Sequence, residues 1–330
     1  MQTNGFSRVV MVTLASAGVV LAQVAPAQGW KPERNVELTI PTSPGGSNDI
    51  AGRIIHKLWT ELKLLPVPST VVNRSGGEHI VAYTYISQRT GDAHAIGVMS
   101  TPMLVNPIEG RTSLTHNDVT PIAYLITEPM IAVVRADSPI KTGKDLVARL
   151  RQDPKSVTIG FSPLLGSHNH IAAGLLMKTI GGNARDLKVV AYKGSADAIP
   201  NLMGGHIDLV TTAAGNVAGH VANGKLRVVA ITADRRLPGA LADVPTWKEQ
   251  GVNHVFGAWR AIFAPKGLTA QQTAYWEGAL RKATEAPEWK ADLEKNIWAD
   301  AFLAGEAFKK DLDQDYAEMK AVLGDIGLAK

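Results

Sequence analysis

The chain has 330 residues, no cysteine, 45% apolar and 19% charged side chains, and a formal charge of +4. That length supports two α/β domains with cores of their own, and the absence of cysteine excludes disulfide staples and thiol chemistry. The basic residues are scattered and not interleaved with aromatics, which argues against a nucleic-acid partner.

Residues 1–27 read as an export leader. Arg8 supplies a positive start, Val9 to Ala22 is almost wholly apolar or small, and Ala25-Pro26-Ala27 offers a small-x-small cleavage pattern. The apolar stretch falls short of the roughly 20 residues a spanning helix needs. A periplasmic protein cleaved near Ala27 is expected. Losing Arg8 takes the formal charge from +4 to +3.

Beyond the leader, strands and helices alternate. Val36–Ile40 predicts a strand, and Asp49–Leu62 predicts a helix whose stripe is Ile50, Ile54, Leu58 and Leu62. Strands follow at Ser69–Val72, Ala95–Met99, Ile122–Ile126 and Met130–Arg135. Lys144–Arg151 reads as a helix, Val157–Phe161 as a strand and His168–Ile180 as a helix. Lys188–Ala191 is a strand, Asp197–Met203 a helix, and Ile207–Thr211 and Val228–Thr232 are strands. Ala261–Phe263 is a last strand before helices at Ala270–Glu285 and Glu306–Leu323. This order predicts an α/β protein with mostly parallel sheets. There is no Gly/Ser-rich linker, so the chain should pass between domains on strands, near Thr127–Arg135 and Leu226–Asp234. One lobe then comprises 28–128 and 233–330, and the other 129–232.

Four strand-end loops carry small and polar residues suited to a common cleft, since ligands of open α/β sheets gather beyond the carboxyl ends of strands. The first is Ser43-Pro44-Gly45-Gly46-Ser47-Asn48-Asp49, where a glycine turn empties into a helix N-terminus, an arrangement that attracts anions. Asp49, itself acidic, is expected to cap its helix. The second is Ser100-Thr101-Pro102. The third contains Gly166-Ser167-His168-Asn169, and the fourth Tyr192, Gly194 and Ser195. Pro200 disfavours a helix begun well before Ser195. Asp197 as N-cap would place Pro200 at N3 and leave the Ser195 hydroxyl free.

Read together, these segments resemble the periplasmic receptors of tripartite tricarboxylate transporters, the Bug-type family. The similarity runs through Pro41–Asp49, Val71–Gly77, Gly166–His170, the intact Tyr-Lys-Gly-Ser-Ala of Tyr192–Ala196, and Leu202–Asp208. It continues through Gly224–Arg227, Asp243–Thr246 with Glu249 and Gly251, and Phe263–Pro265 with Gly267. The resemblance implies a type II periplasmic-binding-protein fold, the Venus flytrap, with strand crossovers between its lobes. It further implies a non-enzymatic, monomeric receptor without a cofactor, which delivers a small carboxylate to transporter membrane subunits. By position, one wall would hold Ser43, Gly45, Gly46, Ser47, Asn48 and Asp49, with Ser100 and Thr101 nearby. The other would hold Gly166, Ser167, His168, Asn169, Tyr192, Gly194 and Ser195.

The chain departs from the family pattern in two places. Glu78 stands in a stretch where the family has glycines, and it opposes a carboxylate unless it faces solvent or meets a cation. His168 and Asn169 replace prolines. A metal-binding receptor using His168 and His170 is an alternative, although i and i+2 residues diverge on a helix. A receptor feeding a signalling partner is another. Hydrolase chemistry lacks a Gly-x-Ser-x-Gly elbow, and no complete phosphate loop is present. Trp247, Trp276, Trp289 and Trp298 read as packing residues, whereas Trp259 and Arg260 sit close to the hinge, where they could meet a ligand.

Overall fold

The computed structural model describes residue 1, residues 29–162, 164–237 and 239–330, so the leader read from residues 1–27 lies outside the described residues except at Met1. Ten strands form one connected ladder: β1 (Val36–Ile40), β2 (Ser69–Asn73), β3 (Ala95–Ser100), β4 (Val119–Arg135), β5 (Thr158–Phe161), β6 (Lys188–Ala191), β7 (Leu209–Ala213), β8 (Leu226–Ile231), β9 (Gly257–Pro265) and β10 (Ala299–Ala304). The helices are α1 (Ser47–Glu61), α2 (Ile80–Ser87), α3 (Pro102–Ile108), α4 (Gly143–Gln152), α5 (His168–Thr179), α6 (Ser195–Met203), α7 (Ala218–Ala222), α8 (Ala270–Glu285), α9 (Pro287–Asn296) and α10 (Gly305–Asp325).

The ladder divides into two halves that share β4. The first runs β2-β1-β3-β9-β4, with β10 on β4. The second joins β4 to β8 and to β7, β5 and β6. β4 is continuous where the sequence suggests two strands. Its first part pairs with β9 up to Pro129, and from Met130 it pairs with β7 and β8. The expectation of mostly parallel sheets needs correction. Only β1–β2, β1–β3, β5–β6 and β5–β7 are parallel, because the crossing strand β4 and the returning strand β9 each run against their neighbours.

The outward and return crossings are knotted by one side chain. Thr232 is 3% exposed. Its hydroxyl accepts from the Met130 amide at 2.7 Å and lies within hydrogen-bond distance of the Met130 and Phe256 carbonyls. The backbone closes the same junction, with Thr232 N donating to Met130 O and Phe256 N to Thr232 O.

Apolar side chains on both sides of the sheet halves build the cores. Ile54, Ile55, Leu58 and Trp59 of α1 pack on Leu38, Ile40 and Val98, together with Trp276, Trp289 and Trp298. Leu146, Leu150, Ile159, Met177 and Trp247 fill the second half. Trp247, Trp276, Trp289 and Trp298 are thus packing residues, as expected. α10 spans the halves: its Phe308, Leu312 and Leu323 share a cluster with Leu104 and Ile108 of α3 and with Ile171 of α5.

Candidate functional site

Strand ends from the two halves bound a cleft of about 270 Å³. Its first wall starts at the β1–α1 turn. Gly45 has φ +89°, a conformation that costs an L side chain energy, whereas Gly46, the N-cap, has φ −78° and room for a Cβ 3.5 Å from Thr42 Oγ1. The turn is held from below by Asp49, which is 3% exposed. Its carboxylate accepts the Gly45 N–H at 2.9 Å, Asn73 Nδ2 at 2.8 Å and Arg53 Nε at 2.9 Å. Burial pushes the Asp49 carboxyl up, but the hydrogen bonds from Arg53, Asn73 and Gly45 outweigh it and hold the group below its usual range. Asp49 therefore braces the turn that leads into the helix rather than capping the first helical amides.

Above this brace, Ser47 and Asn48 reach the cleft at the start of α1, where the first amides have no intrahelical acceptor. Asn48 Nδ2 donates to Ser100 Oγ at 3.3 Å. Ser100 and Thr101 enter from the end of β3. Tyr83 OH accepts the Ser100 amide at 3.1 Å, and His79 Nδ1 lies 3.3 Å from both hydroxyls.

The second wall is the loop into α5. Gly166, at φ +81°, and Ser167 and His168 line the cleft. Ser167 is the N-cap; its hydroxyl donates to Ser162 O at 3.2 Å, and buried Asn169 donates to the same carbonyl at 2.7 Å. His170 is turned away from the cleft. Its ring stacks on Phe161 at 4.5 Å, and its Nδ1 accepts the Gly166 N–H at 3.0 Å. His168 and His170 thus point to different surroundings and do not converge on a metal. Among the described residues, no group of three His, Cys, Asp or Glu side chains is placed to hold one.

Not every predicted residue lines the cleft. Ser43, Gly45, Gly46 and Asp49 form and support the first turn without lining the cleft, and Asn169 does the same for the second loop. Tyr192, Gly194 and Ser195 sit beyond it. α6 begins at Ser195 with Gly194 as N-cap, so the expectation of Asp197 as N-cap is corrected. Pro200 is accommodated inside the short helix. Ser195 Oγ joins a hydroxyl cluster with Ser162 Oγ at 3.3 Å, Thr212 Oγ1 at 3.4 Å and Asn216 Nδ2 at 3.1 Å. Ser162 links this cluster to the Ser167 loop.

The cleft floor is Trp259 and Arg260 of β9, which the sequence placed close to the hinge as residues that could meet a ligand. Arg260 is 7% exposed and donates to Glu128 Oε2 at 2.8 Å and to Ala258 O at 2.6 Å. Burial and then the Arg260 charge lower the pKa of His79 to about 4; burial and Arg260, partly offset by Glu128, bring His168 to about 4. Both rings are neutral at pH 7. Of the eleven buried side-chain atoms without a partner among the described residues, five belong to residues lining this cleft: Thr42 Oγ1, Asn48 Oδ1, Thr101 Oγ1, Trp259 Nε1 and Arg260 Nε. Unpaired polar groups concentrated in one cleft mark where a polar molecule is received.

A model of the tripartite tricarboxylate transporter family receptor matches residues 60–328. The chain belongs to that receptor family. A relative of this receptor from Cupriavidus necator, described as a UPF0065 protein in the gbd 5′ region, is 26% identical, covering 100% of this chain and 99% of the relative. A solved TctC solute-binding protein from Polaromonas, without ligand, is 28% identical with a TM-score of 0.79, covering 89% of this chain and 99% of that one. Two Rhodopseudomonas palustris structures share the fold. One, solved with adipate, is 22% identical with a TM-score of 0.68 and covers 90% of this chain and 99% of that one. The other, solved with malate, is 21% identical with a TM-score of 0.62 and covers 88% and 99%. The receptor is thus an α/β periplasmic binding protein. Among the described residues no helix is long and apolar enough to cross a membrane.

Proposed function

We propose that this receptor captures a small carboxylate-bearing solute in the periplasm and presents its closed, loaded form to transporter membrane subunits, acting as a monomer. The observation that carries the reading is the cleft itself, where the N-termini of α1 and α5 face one space beside a buried arginine and unpaired donors and acceptors. A carboxylate satisfies the donors among these groups, Trp259 Nε1, Arg260 Nε and the threonine hydroxyls. Hydrogen bonds to a charged group contribute about 1.5–3 kcal/mol each, and a helix N-terminus adds roughly 0.3–1 kcal/mol or more when partly buried.

In this reading Ser47, Asn48, Ser100 and Thr101 receive the carboxylate, on the turn formed by Ser43, Gly45 and Gly46 and braced by Asp49. Gly166, Ser167 and His168 close from the second lobe, positioned by Asn169. Tyr192, Gly194 and the Ser195 cluster take the ligand's far end as the lobes approach. The lobes are 28–128 with 233–330, and 129–232, and they turn about Met130 and Thr232. A ligand bridging both walls favours closure by its differential affinity for the closed state, and no bond is made or broken. Support from relatives is chemical: neighbours of the same fold were solved with adipate and malate.

A thermal-shift screen of the purified protein against mono-, di- and tricarboxylates, aromatic acids and amino acids tests the proposal. A cognate acid at a hundredfold excess over its dissociation constant stabilises by about 2.7 kcal/mol. Stabilisation by divalent metals alone, with every acid silent, overturns it.

A further inference from the structure

Two arginines line the cleft, Arg111 and Arg260, and they differ in what they are free to do. Arg111 has a side chain 39% exposed and donates to Glu109 at 2.6 Å. Arg260 lies on the floor, 7% exposed. In the ladder it stands between Ser100 of β3 and Ile126 of β4. Its Nη2 donates to Glu128 Oε2 at 2.8 Å and its Nη1 to Ala258 O at 2.6 Å, while Nε is buried and has no partner among the described residues. A guanidinium stays charged and presents its donors as a planar fork. One carboxylate oxygen and one carbonyl do not fill that fork.

The Arg260 charge reaches both walls. After burial, it is the next cause that lowers the pKa values of His79 and His168, and Glu128 partly offsets it at His168. Glu128 comes from β4 just before Met130, where the strand leaves β9 for β7 and β8, and its side chain is 17% exposed. The acidic side chains of the lining do not compete for Arg260: Glu78 is exposed on its turn, and Glu109 is taken by Arg111. Among the described residues, the one buried cation of the lining is therefore held by a single resident anion.

We propose that Arg260 selects for the negative charge of the solute and that Glu128 is its built-in competitor. The solute carboxylate takes donors of Arg260 in the closed cleft, and Glu128 reclaims them on release. This rests on the carboxylate-receptor reading above and adds the pair that sets its strength. An anion placed this close to Glu128 meets repulsion as well as the Arg260 charge, so Glu128 limits affinity.

Isothermal titration of the purified receptor with succinate, adipate, citrate and benzoate at pH 7.5 tests it, in the unaltered protein, Arg260→Gln and Glu128→Gln. Arg260→Gln should weaken every acid that binds by about tenfold or more, the effect of losing a hydrogen bond to a charged group. Glu128→Gln should tighten the same acids severalfold, because the cation loses its competitor while the shape is kept. Both variants break one ion pair, so a purely structural role moves affinity in the same direction in each, whereas the assigned roles move it in opposite directions. Thermal melts check folding. Arg260→Lys, which keeps the charge without the fork, stands in if Arg260→Gln does not fold, and a smaller loss is then expected. Unimpaired binding in the Arg260 variant, or unchanged or weaker binding in Glu128→Gln, overturns the assignment while leaving a carboxylate receptor. Silence of all four acids and of the broader acid screen toward the unaltered receptor sinks both.

Discussion

Glycine and histidine positions show how single residues set the conditions for the cleft. At the β1–α1 turn the two glycines are unequal. Gly45→Ala forces an L side chain into φ +89° and should cost about 1–2 kcal/mol, because Cβ crowds the following carbonyl there. Gly46→Ala should leave the melting temperature nearly unchanged; parallel thermal melts of the two variants decide it. The motif announces a glycine turn in the sequence, but only the backbone angle tells which glycine is required. Histidine brings in pH. His254 is 3% exposed, and burial lowers its pKa to about 4, opposed by a hydrogen bond with the Ala172 backbone. Its folded pKa thus lies below the unfolded value near 6.5. The resulting stability is complete above pH 6.5 and is lost as pH falls toward 4. His79, His168 and His170 are shifted in the same direction. Unfolding free energy should therefore fall between pH 7 and pH 5, with His254 alone contributing on the order of 2 kcal/mol. Urea titrations at both pH values measure the drop, and His254→Gln should flatten its slope.

At the scale of elements, much of the fold was legible because its helices carry clear stripes. α1, α4, α5, α8 and α10 form within two residues of their expected bounds, since apolar spacing and caps such as Thr142 and Thr269 point the same way. What stayed hidden was short or irregular. α2 has apolar residues on all sides and starts from a left-handed His79, and α3 is seven residues long with an internal proline, so neither shows helical period. α6 shows a different limit. Pro200 lies well inside it, because one missing amide bond is tolerable where packing of Ala198, Ile199 and Leu202 fixes the helix. The junction at Thr232 is also invisible in the sequence, being a tertiary arrangement of three segments. Thr232→Val keeps the shape but leaves the Met130 amide and the Phe256 carbonyl short of a partner. It should cost about 1–3 kcal/mol, the penalty for an unmet buried polar group. Chemical denaturation reads the loss.

For the molecule as a whole, the receptor reading turns on motion. If a bridging solute favours the closed state, small-angle scattering of the protein saturated with a cognate acid should show a smaller radius of gyration than the free protein. An unchanged radius would mean that the free form is already closed. Three of the four expected strand-end loops reach the cleft, and seven of the fifteen expected residues line it. Trp259 and Arg260 are placed near it by their position beside the hinge, but that they form its floor depends on the register of an antiparallel strand, which only the folded ladder fixes.

The long terminal helix α10 touches both sides of the cleft. Besides its apolar seam with α3 and α5, Asp325 pairs with Lys178, and its carbonyl accepts Arg185. Lys330 N reaches back to Ile108 O. Two covers of a book swing freely about a spine. Here a strap ties α3 to α5, and in the proposed receptor it would shorten the swing of one cover against the other. A shorter stroke would leave less ordering entropy to be lost when the shutter meets its solute.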